Sequence, residues 1–369
     1  MKILCLDIGT GTQDILLFDS TTEIENCLQL VMPSPTVLVA NQIRAATKQR
    51  VPVLLTGTIM GGGPGSWAAE DHVRAGLPVY ATPDAALTFN DELNKVEATG
   101  IRLVSDDEAT KLDAVRVEMR DVDLNALARA LSAFGVPFEL DAIAVAVFDH
   151  GNAPPGMSDR TFRFEFLAER IRETGKLSGF AFMRENVPER LTRMRAAAQS
   201  VAYDAPLLVM DTAPAAIRGA LDDEVVSRHQ NAVIANLGNF HALAFRFTER
   251  AITGVFEHHT GELKQAQLEN FLRELANGTL TNDAIFYSQG HGAVMFDTRP
   301  QPLDFLAVTG PRRAMLLHSE LNPYFAVPYG DMMLAGDFGL LHAYADLNPN
   351  ACEEIESALA KSRRMTNDK

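Results

Sequence analysis

The sequence is poor in cysteine and in basic residues. Its three cysteines, Cys5, Cys27 and Cys352, lie far apart and form no C-x-x-C pair, which predicts reduced thiols in a cytoplasmic protein. Lys and Arg total 33 against 48 Asp and Glu, a net charge of −15, and no basic patch is visible. This balance repels nucleic acid and anionic membranes, so we expect neither as a partner.

Long apolar runs are also missing. No stretch approaches the roughly 18 apolar residues of a membrane span. The first residues, MKILCLDIG, enter a predicted strand without the basic region, apolar stretch and cleavage site of a secretory signal. The chain has 369 residues, 47% of them hydrophobic, which is enough for two cores, so two lobes are expected.

Two stretches of the sequence look like copies of one structural motif. Residues 3–18 read ILCLDIGTGTQDILLF, an apolar run, an acidic residue, a glycine-rich corner and a second apolar run. Residues 234–245 read IANLGNFHALAF, the same layout with a turn that we expect to be two residues shorter. A third apolar segment follows each copy, at 27–32 and at 251–256. Two β-hairpins with glycine corners predict a duplicated domain that binds a phosphate between its lobes.

The pattern between and after the hairpins predicts the domain organisation. A short apolar run at 51–56 suits a buried parallel strand, and the glycine-dense loop TGTIMGGGPGSW follows it. Residues 68–141 are mixed and charged and are expected to be an insertion in a first lobe of residues 1–155. A second lobe is expected at 156–329, and a small-residue closing helix at 330–346 completes the first lobe.

This order of motifs resembles the actin-like ATPase superfamily, which includes actin, the heat-shock chaperone ATPases and the sugar and acetate kinases. LDIGTGT looks like the first phosphate motif of that superfamily, NLGNFH like its second and VTGPRR like its adenosine motif. DTAPAAIRGAL and MMLAGDFGLL look like the two connecting helices at the hinge. The resemblance covers most of the chain outside 68–141 and implies an α/β, two-lobed, duplicated ribonuclease H-like fold with a cleft between the lobes.

The resemblance also implies roles for individual residues, with ATP and magnesium as cofactors. Asp7 would orient a magnesium-bound water as a catalytic residue, although an aspartate at this position can instead stabilise its own turn. The duplicated context favours the functional role. The residues implied to bind phosphate through the corners are Gly9, Thr10, Gly11, Thr12, Gly238 and Asn239, and those implied to bind the nucleotide are Gly310 and Arg313. An arginine at a helix start is as often part of a solvated face.

Other phrases resemble a more specific family. DIGTGTQDILLFD, FEHHTGEL and PYGDMMLAGDFGLL are similar to a family labelled pyruvate formate-lyase activating-enzyme-like. That label implies a radical enzyme with a C-x-x-x-C-x-x-C motif, which this sequence lacks, so no iron–sulfur cluster is expected. Two positions depart from the actin-like pattern. Asn236 replaces an aspartate that helps to hold magnesium, and Gly310 stands alone before Pro311 where paired glycines are usual, which weakens the case for ATP hydrolysis.

The histidines form a second candidate site. In such a fold the ends of several strands share one edge that faces the cleft, and the polar residues expected at this edge are Asp149, His150, His241, Glu257, His258, His259 and His291. They suit a zinc, iron or manganese site, with Asp149 and His258 as catalytic acid or base. Each histidine can instead bond only a loop carbonyl. Adjacent strand residues point to opposite faces, so at most one of His258 and His259 should contact a given ligand.

Three functions therefore stay open. The leading one is an ATP-dependent phosphotransferase or ATPase that binds a nucleotide or other phosphorylated small molecule with a divalent metal. Asn236 favours a non-hydrolysing sensor or activator whose lobes close on a ligand and signal to a protein partner. The histidines favour a His/Asp metal-dependent enzyme that does not use ATP.

Overall fold

The computed structural model describes residues 1–367, with the side chains of residues 1–362. The described residues form three β-sheets within a mixed α/β structure. In chain order the strands are β1 (Lys2–Ile8), β2 (Thr12–Asp19), β3 (Leu28–Pro33), β4 (Val53–Gly57), β5 (Val79–Ala81), β6 (Arg102–Leu103), β7 (Val115–Met119), β8 (Ala142–Val147), β9 (Ala181–Met183), β10 (Leu207–Asp211), β11 (Ala232–Leu237), β12 (His241–Thr248), β13 (Ala251–His259), β14 (Gly292–Met295), β15 (Leu306–Thr309) and β16 (Tyr324–Phe325).

The α-helices surround and connect these sheets. In chain order they are α1 (Pro35–Gln49), α2 (Pro64–Arg74), α3 (Pro83–Ala86), α4 (Leu93–Ala98), α5 (Asp106–Ala109), α6 (Leu124–Ala133), α7 (Asp159–Thr174), α8 (Thr192–Ser200), α9 (Thr212–Ala220), α10 (Glu224–Ser227), α11 (Gln265–Asn277), α12 (Asn282–Phe286), α13 (Ala335–Leu347) and α14 (Pro349–Asn367). None of the described helices combines the length and the apolar content needed to cross a lipid bilayer.

The two six-stranded sheets share a strand order. The first runs β3-β2-β1-β8-β10-β9 and the second β14-β13-β12-β11-β15-β16. In each, a hairpin and a third strand pair antiparallel, the first hairpin strand pairs parallel with one later strand, and that strand pairs parallel with a second later strand. The series β3-β2-β1-β8-β10 and β13-β12-β11-β15-β16 therefore match in order and direction.

The first sheet extends further along the chain than the sequence predicts. Strands β9 and β10 pair within it, so it ends at Asp211 and not near the expected boundary at residue 155. Strand β10 lies parallel to β8, and such a pairing needs a long crossover, which α7 and α8 supply here. This separation in sequence hides the pairing from a local pattern.

The third sheet corrects the position of the expected insertion. It has the order β6-β5-β4-β7, with all its strands parallel, and spans residues 53–119. It therefore begins before residue 68 and includes the strand expected at 51–56. Helix α6 lies outside it, because Leu127 and Leu131 pack into the core of the first sheet.

Helices α9 and α13 cross with their backbones almost in contact. A Cβ added to Gly219 would lie 1.7 Å from the carbonyl oxygen of Ala335, and one added to Gly339 would lie 1.9 Å from that of Ala215. The apolar core around this crossing includes side chains from both six-stranded sheets. The crossing therefore fixes how the strand ends of one sheet face those of the other.

Candidate functional site

The glycine corners of the two hairpins have the same length. In the first, the N–H of Gly9 donates to the carbonyl of Thr12 at 2.9 Å, and in the second the N–H of Gly238 donates to the carbonyl of His241 at 2.9 Å. The second turn is therefore not two residues shorter, as the sequence suggested. The two corners have the same hydrogen-bond pattern, residue for residue. His241 therefore occupies in the second corner the position that Thr12 has in the first.

The two corners meet each other. A Cβ added to Gly11 would lie 2.6 Å from Nδ2 of Asn239, so a larger residue at position 11 would have to move the Asn239 side chain of the opposite corner. The aromatic residue of the second corner, Phe240, stacks on Trp67 of α2, with ring centroids 5.4 Å apart. Three parts of the chain, namely both corners and the segment after β4, therefore converge at one place.

A cavity of about 790 Å³ opens at this convergence. Its wall contains Thr10 and Asn239 of the corners, the glycine loop 61–63, and the histidines His150 and His241. Its volume falls within the roughly 300–1,000 Å³ of small-molecule sites. The cavity thus places phosphate-binding candidates and imidazoles around the same space.

A smaller pocket of about 110 Å³ lies behind the corners. Asp7 and Thr12 of the first corner, Gly238 of the second, and Gly310 after β15 line it. Arg313, implied as a nucleotide contact, turns its guanidinium back to the carbonyl of Gly310 at 3.4 Å. The sequence motifs for phosphate and nucleotide therefore surround a space that is too small for a whole nucleotide.

Three buried carboxyl groups stand next to this pocket. Asp7 and Asp14 lie opposite each other on β1 and β2, and Asp337 comes from α13. Burial raises the pKa of Asp7 to about 7 although Thr212 donates to it at 2.5 Å, and burial together with Asp7 raises the pKa of Asp14 to about 8. Burial likewise raises the pKa of Asp337 well above its ordinary value.

Several of these carboxyl oxygens have no partner. Among the described residues, Oδ1 of Asp14 and both oxygens of Asp337 accept no hydrogen bond. Magnesium takes oxygen ligands, and a cation would both pair these atoms and favour the ionised carboxylates. The residues present therefore fit the magnesium that the resemblance implies.

Three histidines come together at the wall of the larger cavity. One ring nitrogen from each of His150, His241 and His291 lies within 4.8 Å of the other two. His150 follows β8 of the first sheet, whereas His241 begins β12 and His291 precedes β14 of the second. Phe148 supports the group by stacking on His241, with centroids 3.9 Å apart and the planes at 3°.

Burial favours the neutral form of two of these imidazoles, those of His150 and His241. Burial, assisted by the neighbouring His291, lowers the pKa of His150 to about 3. Burial also lowers the pKa of His241 well below its ordinary value, against the pull of Glu257. Neutral imidazoles keep a ring lone pair available, which is the form that binds a metal or accepts a proton.

A buried carboxylate lies behind the histidines. Oε1 of Glu257 is 3.3 Å from Nδ1 of His291, and its Oε2 accepts from Nε of Arg163 at 3.2 Å. Burial alone would raise the pKa of Glu257, but Arg163 and His291 outweigh it and lower the pKa. Nothing in the sequence singled out Arg163, because it lies in a segment rich in Arg and Glu that looks like a solvated helix.

His258 does not join the group, contrary to its expected catalytic and metal role. Its Nδ1 lies 3.0 Å from the carbonyl of His259 and its Nε2 lies 3.1 Å from Oγ of Ser288. His259 points to the other face of β13, where its ring centroid is 4.6 Å from that of His291. The alternation of strand side chains accounts for this separation.

Asp149 lines the cavity, but both oxygens of its carboxylate are engaged. Oδ1 accepts from the N–H of Gly151 at 2.8 Å, and Oδ2 accepts from the N–H of Met194 at 2.9 Å. These bonds anchor the loop that carries His150. Each oxygen thus has one backbone partner, so Asp149 helps to position the site.

Comparisons with known proteins add the following. Residues 60–315 match the model of the family described as "Putative pyruvate format-lyase activating enzyme (DUF1786)". No curated protein is similar in sequence to the chain. The solved structure of the ethanolamine utilization protein EutJ from Carboxydothermus hydrogenoformans is similar over 92% of this chain and 89% of that one, with 12% identity and a TM-score of 0.34. A nucleotide-free structure of acetone carboxylase, reported for ATP-dependent acetone carboxylation, is similar over 69% of this chain and 45% of that one, with 10% identity and a TM-score of 0.20.

Proposed function

We propose that the chain, which belongs to the DUF1786 family, binds a nucleotide or another phosphorylated small molecule in the cavity beside its two glycine corners. The observation that carries the proposal is the meeting of two corners of equal length at one cavity of about 790 Å³. Backbone N–H groups in such turns suit phosphate oxygens. The family description does not transfer as an activity, because the sequence lacks the three-cysteine motif of a radical iron–sulfur enzyme.

The fold in this proposal is the duplicated actin-like one. The matching strand orders of the two six-stranded sheets and their matching corners support it. The first lobe then comprises residues 1–211 together with α13, and the second lobe follows α9. The third sheet at residues 53–119 is an addition to the first lobe that closes over the cavity through Trp67.

The finer reaction is an ATP-dependent phosphotransferase or ATPase with magnesium. Asp7, Asp14 and Asp337 would hold the ion, which supplies charge neutralisation to the phosphates of a bound ligand. Because the pocket that these residues line is small, the corners must separate to admit the phosphate chain. Thr212, which donates to Asp7, holds that carboxyl group in place during this opening.

A second candidate function is a non-hydrolysing sensor, and Asn236 favours it. Asn236 precedes the second corner at the position that Asp7 has before the first. A Cβ added to Gly310 would lie 2.4 Å from Oδ1 of Asn236, so this amide packs against the adenosine-type turn. The second corner therefore lacks a carboxylate for the metal, and ligand binding would close the lobes without turnover.

Calorimetry with ATP and magnesium tests the binding proposal, and release of inorganic phosphate separates the two functions. We expect saturable binding by the wild type that Asp7→Asn weakens at least tenfold, with unchanged circular dichroism. Phosphate release would establish an ATPase, whereas binding without release would exclude an ATPase and fit either the sensor or a phosphotransferase that lacks its acceptor. If neither ATP nor inorganic triphosphate binds at millimolar concentration, the nucleotide part of the proposal is wrong.

A further inference from the structure

Three imidazoles converge from separate parts of the chain. Their ligand nitrogens lie within 4.8 Å of one another. In a tetrahedral site with bonds of about 2.0–2.1 Å, two nitrogens are about 3.4 Å apart. Small rotations of the side chains of His150, His241 and His291 therefore suffice to enclose an ion.

His291 carries a second, independent sign of a missing ligand. Its side chain is fully buried, and within the described part of the chain its Nε2 makes no hydrogen bond. A buried polar group without a partner is costly, and an ion is one way to satisfy it. Glu257 stands 3.3 Å from Nδ1 of His291, which leaves Nε2 for the metal.

We infer that His150, His241 and His291 form a three-histidine site for a first-row divalent transition metal, zinc foremost, with Glu257 as the carboxylate behind it. Imidazole nitrogens select zinc, iron, cobalt, nickel or copper over magnesium and calcium. The pairing of a ligand histidine with a carboxylate is the common way in which proteins orient such a ligand.

The proposed site has the form of a catalytic and not a structural centre. Three protein ligands leave a fourth position of a tetrahedral ion open. His150 and His241 both line the cavity of about 790 Å³, so this position faces the space proposed for the phosphorylated ligand. The site goes beyond the phosphate site, since its ligands and its ion are different from those of Asp7.

The site also joins the two six-stranded sheets. His150 follows β8 of the first sheet, whereas His241 begins β12 and His291 immediately precedes β14 of the second. An ion bound by all three histidines would connect the two sheets. Metal binding should therefore raise the thermal midpoint, and loss of any one ligand should remove that rise.

The test uses zinc alone, without nucleotide, so that its result does not depend on the phosphate proposal. Protein freed of metal with a chelator is titrated with Zn²⁺ in a calorimeter, and bound metal is counted by elemental analysis. We expect one equivalent in the wild type. His150→Ala and His291→Ala should each weaken binding by more than the roughly 10–100-fold that loss of an outer carboxylate costs, and Glu257→Gln should fall within that range.

Two histidines serve as matched controls. His318→Ala removes an exposed imidazole, and His258→Ala removes the neighbour on the opposite face of β13, so both should keep the wild-type affinity. Co²⁺ in the wild type should give the visible absorption of a tetrahedral site, which His150→Ala should lose. Zinc well below one equivalent in the wild type, or equal affinity in His150→Ala, His291→Ala and the controls, would overturn the inference.

Discussion

Arg163 binds Glu257 through Nε at 3.2 Å, and both side chains are fully buried between the two six-stranded sheets. The same guanidinium donates through Nη1 to Asp211 at the end of β10. The next residue, Thr212, donates its hydroxyl to Asp7 at 2.5 Å. A continuous polar path therefore connects the histidine cluster with the first glycine corner.

Replacing the arginine of this path should be strongly destabilising. Arg163→Met leaves the carboxylates of Glu257 and Asp211 buried without their cation, and breaking a buried ion pair in this way costs about 3–5 kcal/mol. We expect the free energy of unfolding, measured in urea, to fall by that amount. Arg74→Met is the control, because Arg74 pairs with Asp71 on the surface and should change little. Equal free energies of unfolding for the two variants would show that the buried ion pairs do not stabilise the fold.

A second prediction concerns the crossing of α9 and α13. Replacing glycine by alanine inside a helix usually stabilises it by about 1 kcal/mol. At Gly339, however, the new Cβ would lie 1.9 Å from the backbone oxygen of Ala215, which cannot rotate away. Overpacking of this kind costs about 1–3 kcal/mol, so Gly339→Ala should lower the free energy of unfolding.

The control for this substitution is Gly261→Ala, since a Cβ at Gly261 meets nothing within 4 Å. Both variants can be compared by urea unfolding at one pH. If Gly339→Ala proved as stable as the wild type or more so, the close approach of the two helices would be refuted.

The local elements could be predicted from the sequence, whereas their long-range pairing could not. Apolar runs bounded by glycine corners identified both hairpins, and the small residues of α13 identified the closing helix. The place of β10 in the first sheet depends on pairing with β8 across more than fifty residues, which leaves no local signal. The sequence predicted an insertion at 68–141 but no third sheet, because the parallel strands of that sheet also pair across long connections.

The candidate site could be predicted only in part. The argument that strand ends share one edge selected His150, His241 and His291, which the structure brings together. It could not choose between His258 and His259, because the choice depends on which face of β13 points to the cavity. Arg163 was not predicted as a site residue, because the sequence of a charged helix does not show which of its charged side chains is buried.

A third prediction follows from the pairing of His342 in α13. Its Nε2 lies 2.6 Å from Asp222 and its Nδ1 lies 2.7 Å from Glu356. Burial and the nearby Arg218 lower the pKa of His342, but the two carboxylates outweigh them and raise it. A raised pKa means that the contribution to stability is complete below the unfolded value of about 6.5 and is lost as the pH rises through the folded value.

We therefore expect the stability difference between wild type and His342→Gln to be largest near pH 5.5 and to shrink towards pH 9. Urea unfolding at several pH values measures it, and the subtraction removes groups that titrate in both proteins. A His342→Gln difference that stayed constant, or grew with pH, would contradict the charged form of His342.

The last prediction uses Trp67, which is the single tryptophan of the chain. Its ring is half exposed, stacks on Phe240 of the second corner and lines the larger cavity. A phosphorylated ligand that enters between the corners must disturb this stack, so saturating ATP with magnesium should change the fluorescence of Trp67. Phe240→Leu should increase quenching of the free protein by acrylamide and reduce the change caused by the ligand.

Free tryptophan amide titrated with the same nucleotide corrects for absorption of the exciting light. The midpoint of the fluorescence change should agree with the dissociation constant from calorimetry, because both then report the same event. Calorimetry could detect binding while the emission of Trp67 stays constant. That result would place the ligand away from the corners. In that case the cavity assignment fails even though the protein binds a nucleotide, since Trp67 lines the same cavity as Thr10 and Asn239.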